Sequence, residues 1–343
     1  MSYHMTKLKN QLINSTSVRS YAYDVLSEQS TRISEDDIEA LAQKTVHDVW
    51  DNGPKMYKVY TIPKRSGGRR TIAHPSKPLK AVQKALVELW EAELPIHSAA
   101  LAYQKGKSIK ENAECHRYNK FLLKVDLSEF FNSIDIEVFE SQLLGNNIKF
   151  DKRDSRLIRN ILFWSPQKSL SSKLVLSVGA PSSPFISNFV MYTFDSLISE
   201  VCESLNIIYT RYADDMFFST QVKNTLFKVP EIISFLLKNK YNNKLLINES
   251  KTIFSSKAHN RHVTGITITN DNKLSLGRSR KRYISSMVHK YKLGMLDFED
   301  IEQLQGLLGF AKNIEPEFLV RLKKKYSSET VNIILNGKWK NEK

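Results

Sequence analysis

The chain has 343 residues, 41% of them hydrophobic and 25% charged, enough to bury a sizeable core in two or three lobes or one large domain. Its formal net charge of +15 favours a polyanionic partner, nucleic acid first, over a small neutral ligand. Two cysteines, Cys115 and Cys202, exclude a disulfide framework and stand in no zinc-ligand spacing, and no run approaches the roughly 18 apolar residues of a membrane span.

The first residues, MSYHMTKLKN, lack the apolar core of a signal peptide, so a cytoplasmic location and no membrane partner are expected. Residues 1–50 read as mainly helical, with Ser34-Glu35-Asp36-Asp37 opening a capped helix that carries Ile38, Leu41 and Ala42 on one face. Residues 57–62 alternate as a strand, Gly67-Gly68 within RSGGRR supplies a turn, and 71–73 return as its partner. Pro75 and Pro78 precede a helix over 79–94. A short apolar strand broken by Lys124 is expected at 121–127, with helices at 136–145, 151–163 and 184–204. A hairpin follows, 207–211 with 216–219, and beyond Pro230 a helix runs to about residue 240. Short strands fit 251–254, 263–269 and 273–276. From Arg278 the pattern is helical and basic, with fourteen Lys or Arg against eight Asp or Glu, which suits a lobe that faces phosphates.

The stretch RYADDMFFS places Asp214 and Asp215 side by side at the tip of the expected hairpin. Like charges are tolerated there if solvent or cations share the space, and Mg²⁺ commonly takes one or two carboxylates while phosphates and waters complete its shell. An Asp-Asp pair can equally be an exposed turn that ends a strand, so a second acidic position must decide. Asp126, at the end of the apolar strand in FLLKVDLSEFFNSID, is that position, although alone it reads equally as a helix cap. If the two strands lie side by side, the three aspartates suit phosphoryl transfer with two metals.

With these motifs in this order the chain resembles a bacterial reverse transcriptase, and within that family the retron type. Tyr212-Ala213-Asp214-Asp215 matches the family's catalytic hairpin, and Val125-Asp126-Leu127-Ser128-Glu129-Phe130-Phe131 its first metal-binding strand. Gly179-Ala180-Pro181-Ser182-Ser183-Pro184 matches the turn under template and incoming nucleotide, followed by a helix with Ser187-Asn188. Asn112-Ala113-Glu114-Cys115-His116 and Val263-Thr264-Gly265 resemble elements of the retron branch, and the likeness extends over residues 57–326.

The resemblance implies an α+β, right-hand polymerase fold with fingers, a palm of antiparallel sheet plus helices, and a helical thumb. Residues 1–120 would form N-terminal helices and fingers, 121–277 the palm with part of the fingers at about 140–180, and 278–343 the thumb and a C-terminal tail. It implies RNA-directed DNA synthesis from deoxynucleoside triphosphates, with two Mg²⁺ held by Asp126, Asp214 and Asp215. For the retron branch it further implies priming from a guanosine 2′-hydroxyl of a cognate noncoding RNA, a branched RNA–DNA product, a separate effector protein in antiphage defence, and a possible higher-order assembly. The other readings are a nucleoprotein scaffold that holds the product and docks the effector, and another bacterial reverse transcriptase of intron-encoded or defence type.

The same resemblance assigns further residues. Arg70, with Lys64 as helper, would bind triphosphate, within a stretch from Gly53 to Ala85 that has nine Lys or Arg and no Asp or Glu. Phe131 would sit under the sugar 2′ carbon and reject ribonucleotides, while Phe130 points to the core. Gly179 would shape the nucleotide pocket, with Val178 where the family usually has Gln, and Lys251 would assist the leaving pyrophosphate unless it is a surface lysine. Asn112, His116, Tyr212, Val263, Thr264 and Gly265 would serve nucleic-acid binding, although His116 alone also reads as a structural histidine. Arg321 and Lys324, with Lys323 and Lys325, would give the C-terminal lobe a basic edge. Ala102-Tyr103 replaces a common Gly-Phe of the family.

Overall fold

The computed structural model describes residues 7–63, 67–166 and 173–337, so Lys64 lies outside the described residues. The chain begins with three helices, α1 (Lys7–Ile13), α2 (Thr16–Ser27) and α3 (Glu35–Asn52). The third starts where the sequence signals it: Ser34 and Asp37 form a reciprocal capping box, and Glu35, Asp36 and Asp37 face the positive helix end. Strands β1 (Tyr57–Pro63) and β2 (Arg69–Pro75) pair antiparallel from Tyr57 opposite Pro75 to Pro63 opposite Arg69. Helix α4 (Lys77–Trp90) follows, its proline in the first turn where a missing N–H costs nothing, and buries Leu79, Val82, Leu86 and Trp90. Ser108 caps α5 (Ile109–His116) by accepting from the Glu111 amide.

The central sheet has the order β6-β7-β3-β8, with every neighbouring pair antiparallel. Its strands are β3 (Phe121–Asp126), β6 (Ile208–Tyr212), β7 (Asp215–Thr220) and β8 (Ile253–Ser256). Between β3 and β6 lie α6 (Phe130–Ser133), α7 (Ile136–Gly145), α8 (Lys152–Leu162), the two-residue strands β4 (Phe163–Trp164) and β5 (Val175–Leu176), α9 (Ser183–Val190) and α10 (Tyr192–Ser204). The single helix expected over 184–204 is thus two, broken at Met191. Helix α11 (Val229–Tyr241) joins β7 to β8. Both sheet faces are covered: Leu123, Val125, Met216 and Phe218 enter the main core, whereas Leu122 and Phe217 enter a second one. Two covered faces explain why these strands read as apolar runs with little alternation.

A smaller sheet, β11-β10-β9, is built from β9 (Arg261–Val263), β10 (Ile266–Ile268) and β11 (Leu274–Ser275). What the sequence suggested as one strand over 263–269 is a hairpin, because Thr264 and Gly265 turn the chain with φ of 46° and 78°. The strand expected at 251–254 begins only at Ile253, after a 3₁₀ turn at Glu249–Lys251. Helices α12 (Arg278–Lys292), α13 (Phe298–Ile314), α14 (Pro316–Tyr326) and α15 (Ser328–Leu335) complete the chain. Val263, Ile266 and Ile268 share the second core with Ile284, Leu304, Leu308 and Leu319, so the small sheet packs with the C-terminal helices. The architecture is α+β, with a hairpin and helices on one side of a central antiparallel sheet and a helical lobe on the other. Among the described residues no helix is long and apolar enough to cross a membrane.

Candidate active site

Backbone register brings the three aspartates together. Asp126, the last residue of β3, lies opposite Asp215, the first of β7, and Asp215 also faces Tyr212 across the hairpin. Ala213 closes the turn in the left-handed region at φ 59°, and the Asp214 carbonyl accepts from the Leu127 amide at 3.1 Å, which ties the turn to the end of β3. The Asp126 carbonyl in turn accepts from the Asn248 amide at 2.8 Å. The side chains thus converge through hydrogen bonds that no local pattern specifies.

A buried ion pair holds the turn from below. Arg211 and Asp195 are both fully buried, with Nη2 to Oδ2 at 2.6 Å and Nε to Oδ1 at 2.9 Å, and Tyr209 donates its hydroxyl to Asp195 at 2.7 Å. The remaining guanidinium nitrogen, Nη1, donates to the Ala213 carbonyl and to Asn188 Oδ1, each at 3.1 Å. Asn188 Nδ2 donates to the Ala102 carbonyl at 2.9 Å, so one network fixes the turn at Ala213 and the segment leading to Tyr103. Sequence reasoning missed Arg211 and Asp195; the signal was an aspartate at the helical spacing of Ile198 and Cys202, on the buried face of α10, and an arginine within the short strand β6.

Electrostatically the carboxylates oppose one another's ionisation. Burial pushes the Asp214 carboxyl above its ordinary range, and the negative charge of Asp126 pushes it further. Burial likewise raises Asp215, with Asp214 and Asp126 adding to the shift while Lys124 opposes it. Lys251 Nζ lies 3.0 and 3.3 Å from the two oxygens of Asp126, and Lys124 Nζ lies 2.7 Å from Asp215 Oδ1. Among the described residues no group of three or more His, Cys, Asp or Glu side chains forms a metal cage. The donor set is nevertheless suited to a hard divalent ion, which takes one or two carboxylates and fills its shell from substrate phosphates. Like charges in a partly desolvated site would be relieved by such an ion.

Asp126 and Asp214 open into a cavity of about 450 Å³ that is also lined by Arg70, Tyr103, Phe131 and Lys251, with Val178 in its wall, whereas Asp215 is not part of its lining. Arg70, Phe131 and Lys251, three of the residues expected at the nucleotide, therefore share the cavity with Asp126 and Asp214. Phe130 is buried beneath, its ring 5.4 Å from that of Phe131. Gly179 lines a neighbouring cavity of about 390 Å³ that shares Tyr103, Phe131 and Val178 with the first. At φ 122° a Cβ on Gly179 would stand 3.1 Å from Ile72 Cγ2, so glycine lets the turn lie against β2, where the Val178 carbonyl accepts from Ala73 at 3.1 Å. Tyr103, exposed and left-handed at φ 61°, is a wall of both cavities that the sequence flagged only as a departure from Gly-Phe.

Other expectations need correction. Asn112 and His116 are core residues rather than nucleic-acid contacts: both are buried, and burial lowers the His116 pKa to about 3. The ring bridges Ser219 Oγ and Thr210 Oγ1, each at 2.7 Å, and Thr210 donates to Asn112 Oδ1, so a neutral imidazole clamps α5 to β6 and β7. Val263 is likewise fully buried. Thr264 ties the β9–β10 turn to α5 through the Ile109 carbonyl at 3.1 Å, and the Gly265 carbonyl accepts from Arg280. Tyr212 is half-buried beside Asp215, Arg321 donates to Glu315 at 2.7 Å, and Lys324 is exposed on α14.

Residues 62–268 match the family described as reverse transcriptase (RNA-dependent DNA polymerase). The retron Ec83 reverse transcriptase of Escherichia coli is 46% identical over 302 residues, covering 87% of this chain and 97% of that protein. The retron Ec73 reverse transcriptase of the same species is 34% identical over 288 residues, 80% of this chain and 89% of that protein. Among solved structures, telomerase from Candida albicans in complex with a telomeric RNA fragment aligns over 82% of this chain and 61% of that chain, at 14% identity and a TM-score of 0.45, a distance at which the likeness carries no argument.

Proposed function

The chain belongs to the bacterial retron-type reverse transcriptases and is an RNA-directed DNA polymerase, and from that premise we propose that it copies part of a cognate noncoding RNA into branched, multicopy single-stranded DNA. The observation that supports a polymerase site here is that Asp126 and Asp214 line one cavity with Arg70, Phe131 and Lys251, while Asp215 stands opposite Asp126 in the strand ladder. Asp126 and Asp214 would hold two Mg²⁺, with Asp215 in support. Bound there, the ions would lower the pKa of the attacking sugar hydroxyl and stabilise the departing pyrophosphate. Arg70 would pair with the triphosphate of an incoming deoxynucleotide, and Gly179 would let the backbone approach it closely. Lys251 exchanges its contact with Asp126 for the pyrophosphate as it leaves. The basic face of α14, including Arg321 and Lys324, would grip the duplex backbone by charge, so its affinity falls steeply with salt.

Phe131 would exclude ribonucleotides by occupying the space of a 2′-hydroxyl. Phe131→Ala is expected to lose about tenfold or more of the discrimination between deoxy- and ribonucleotides. Primer extension with each nucleotide type measures this, and unchanged discrimination rejects the assignment.

The branched product, a separate effector protein, a role in antiphage defence and a higher-order assembly in the cytoplasm complete the proposal. The test is to purify the protein with its bound nucleic acid and sequence both strands. DNA joined to RNA through the 2′-oxygen of one guanosine is the expected result. RNA without such a branch would reject the retron product and leave the polymerase activity standing.

A further inference from the structure

A lysine within a buried apolar strand needs a partner, and FLLKVD supplies one lysine in an inner strand of a sheet that is covered on both faces. Residues 124 and 126 are two apart on β3 and so project from the same face. In the register with β7, Lys124 lies opposite Phe217 and Asp126 opposite Asp215, which makes Asp215 the diagonal neighbour of Lys124. The ammonium reaches it: Nζ stands 2.7 Å from Asp215 Oδ1 and 5.8 Å from the centre of the Phe217 ring.

We propose that Lys124 is a positioning residue for DNA synthesis, holding one carboxylate oxygen of Asp215 so that this side chain keeps one orientation beside Asp126 and Asp214. The support under it is rigid. Phe217 is fully buried, and its ring lies 6.1 Å from that of His116, which is itself anchored to Thr210 and Ser219. Lys124 is also the better fixed of the two lysines at the site. It stands on a strand paired on both sides and its side chain is 29% exposed, whereas Lys251 ends a single 3₁₀ turn and its side chain is 50% exposed. With Oδ1 engaged by Lys124, Asp215 keeps Oδ2 to offer a cation in support of Asp126 and Asp214. This inference deepens the two-ion reading above and rests on it.

The test compares full-length Lys124→Met, which keeps the stem and removes the charge, with Lys124→Arg, which keeps the charge. Two quantities are read: steady-state addition of one deoxynucleotide to a DNA primer on an RNA template, and Mn²⁺ affinity by electron paramagnetic resonance with that primer–template but no nucleotide. Lys124→Met is expected to lower kcat about 10- to 100-fold with KM for the nucleotide within about twofold, and to change Mn²⁺ affinity about threefold or more. Lys124→Arg is expected to restore kcat to within about threefold of the wild type. Thermal melting shows that each variant is folded, and Lys124→Gln replaces the Met variant should that one not fold. Wild-type kcat and Mn²⁺ affinity without the charge, or an Arg variant as impaired as the neutral one, would overturn the proposal. Asp126→Asn runs in parallel: if it retains synthesis and Mn²⁺ binding, the two-ion reading fails and takes this inference with it. An inert Lys124→Met beside an inactive Asp126→Asn removes this inference alone.

Discussion

Asp214→Asn is expected to slow primer extension by on the order of 10³-fold or more while leaving the protein folded. The substitution preserves shape and removes a charge whose ionised form is disfavoured by burial and by Asp126. Because the wild-type residue is an anion crowded by other anions, the neutral amide relieves repulsion, and thermal stability should equal or exceed that of the wild type. A structural aspartate would behave in the opposite way, with stability falling and activity of the folded fraction persisting. Single-turnover extension in Mg²⁺ together with a melting curve separates the two. Extension within about tenfold of the wild type would mean that Asp214 does not hold the reacting centre.

Arg211→Met is expected to destabilise the protein by about 3–5 kcal/mol, the cost of leaving a buried carboxylate without its partner. Arg211 and Asp195 lie wholly inside the protein, and four further hydrogen-bonding groups depend on the pair: Tyr209, Asn188, Ala213 and, through Asn188, Ala102. Removing both charges should hurt less than the sum of the single changes, so Arg211→Met with Asp195→Asn recovers part of the loss. Denaturant unfolding of the two single variants and the double variant measures the coupling. The folded fraction of Arg211→Met should also polymerise poorly, because the Ala213 carbonyl loses the donor that holds the left-handed turn before Asp214. Destabilisation below about 1 kcal/mol would show that the pair is dispensable to the hairpin.

Much of the site was legible because its parts are local. An apolar strand ending in Asp126, a Tyr-Ala-Asp-Asp turn between apolar runs, and a glycine before Ala-Pro each carry their signal within a few residues. The helix at α3 was legible for the same reason, since its capping box spans only Ser34 to Asp37. What failed depended on contacts from elsewhere. His116 carries no mark that distinguishes a ring facing a nucleic acid from one wedged between Thr210 and Ser219, residues roughly a hundred positions away. The turn at Thr264 was hidden because only Gly265 beside it is a residue that favours positive φ. The break at Met191 has no proline or glycine to announce it, and nothing in the local sequence explains it.

The sequence by itself determined the inventory: the three carboxylates, the basic hairpin, the aromatic pair after Asp126, and the alternation that assigns each side chain to a face of its strand. Only the tertiary structure decided that Asp126 stands opposite Asp215, that Lys124 reaches Asp215 while Lys251 reaches Asp126, and that Arg211 is neutralised by Asp195. The physical reason is that a strand's period fixes which way its side chains point but not which distant strand it pairs with, or in what register. That choice is made by the burial of both sheet faces at once, since a shift of one residue would turn Leu123 and Val125 out of one core and Leu122 out of the other.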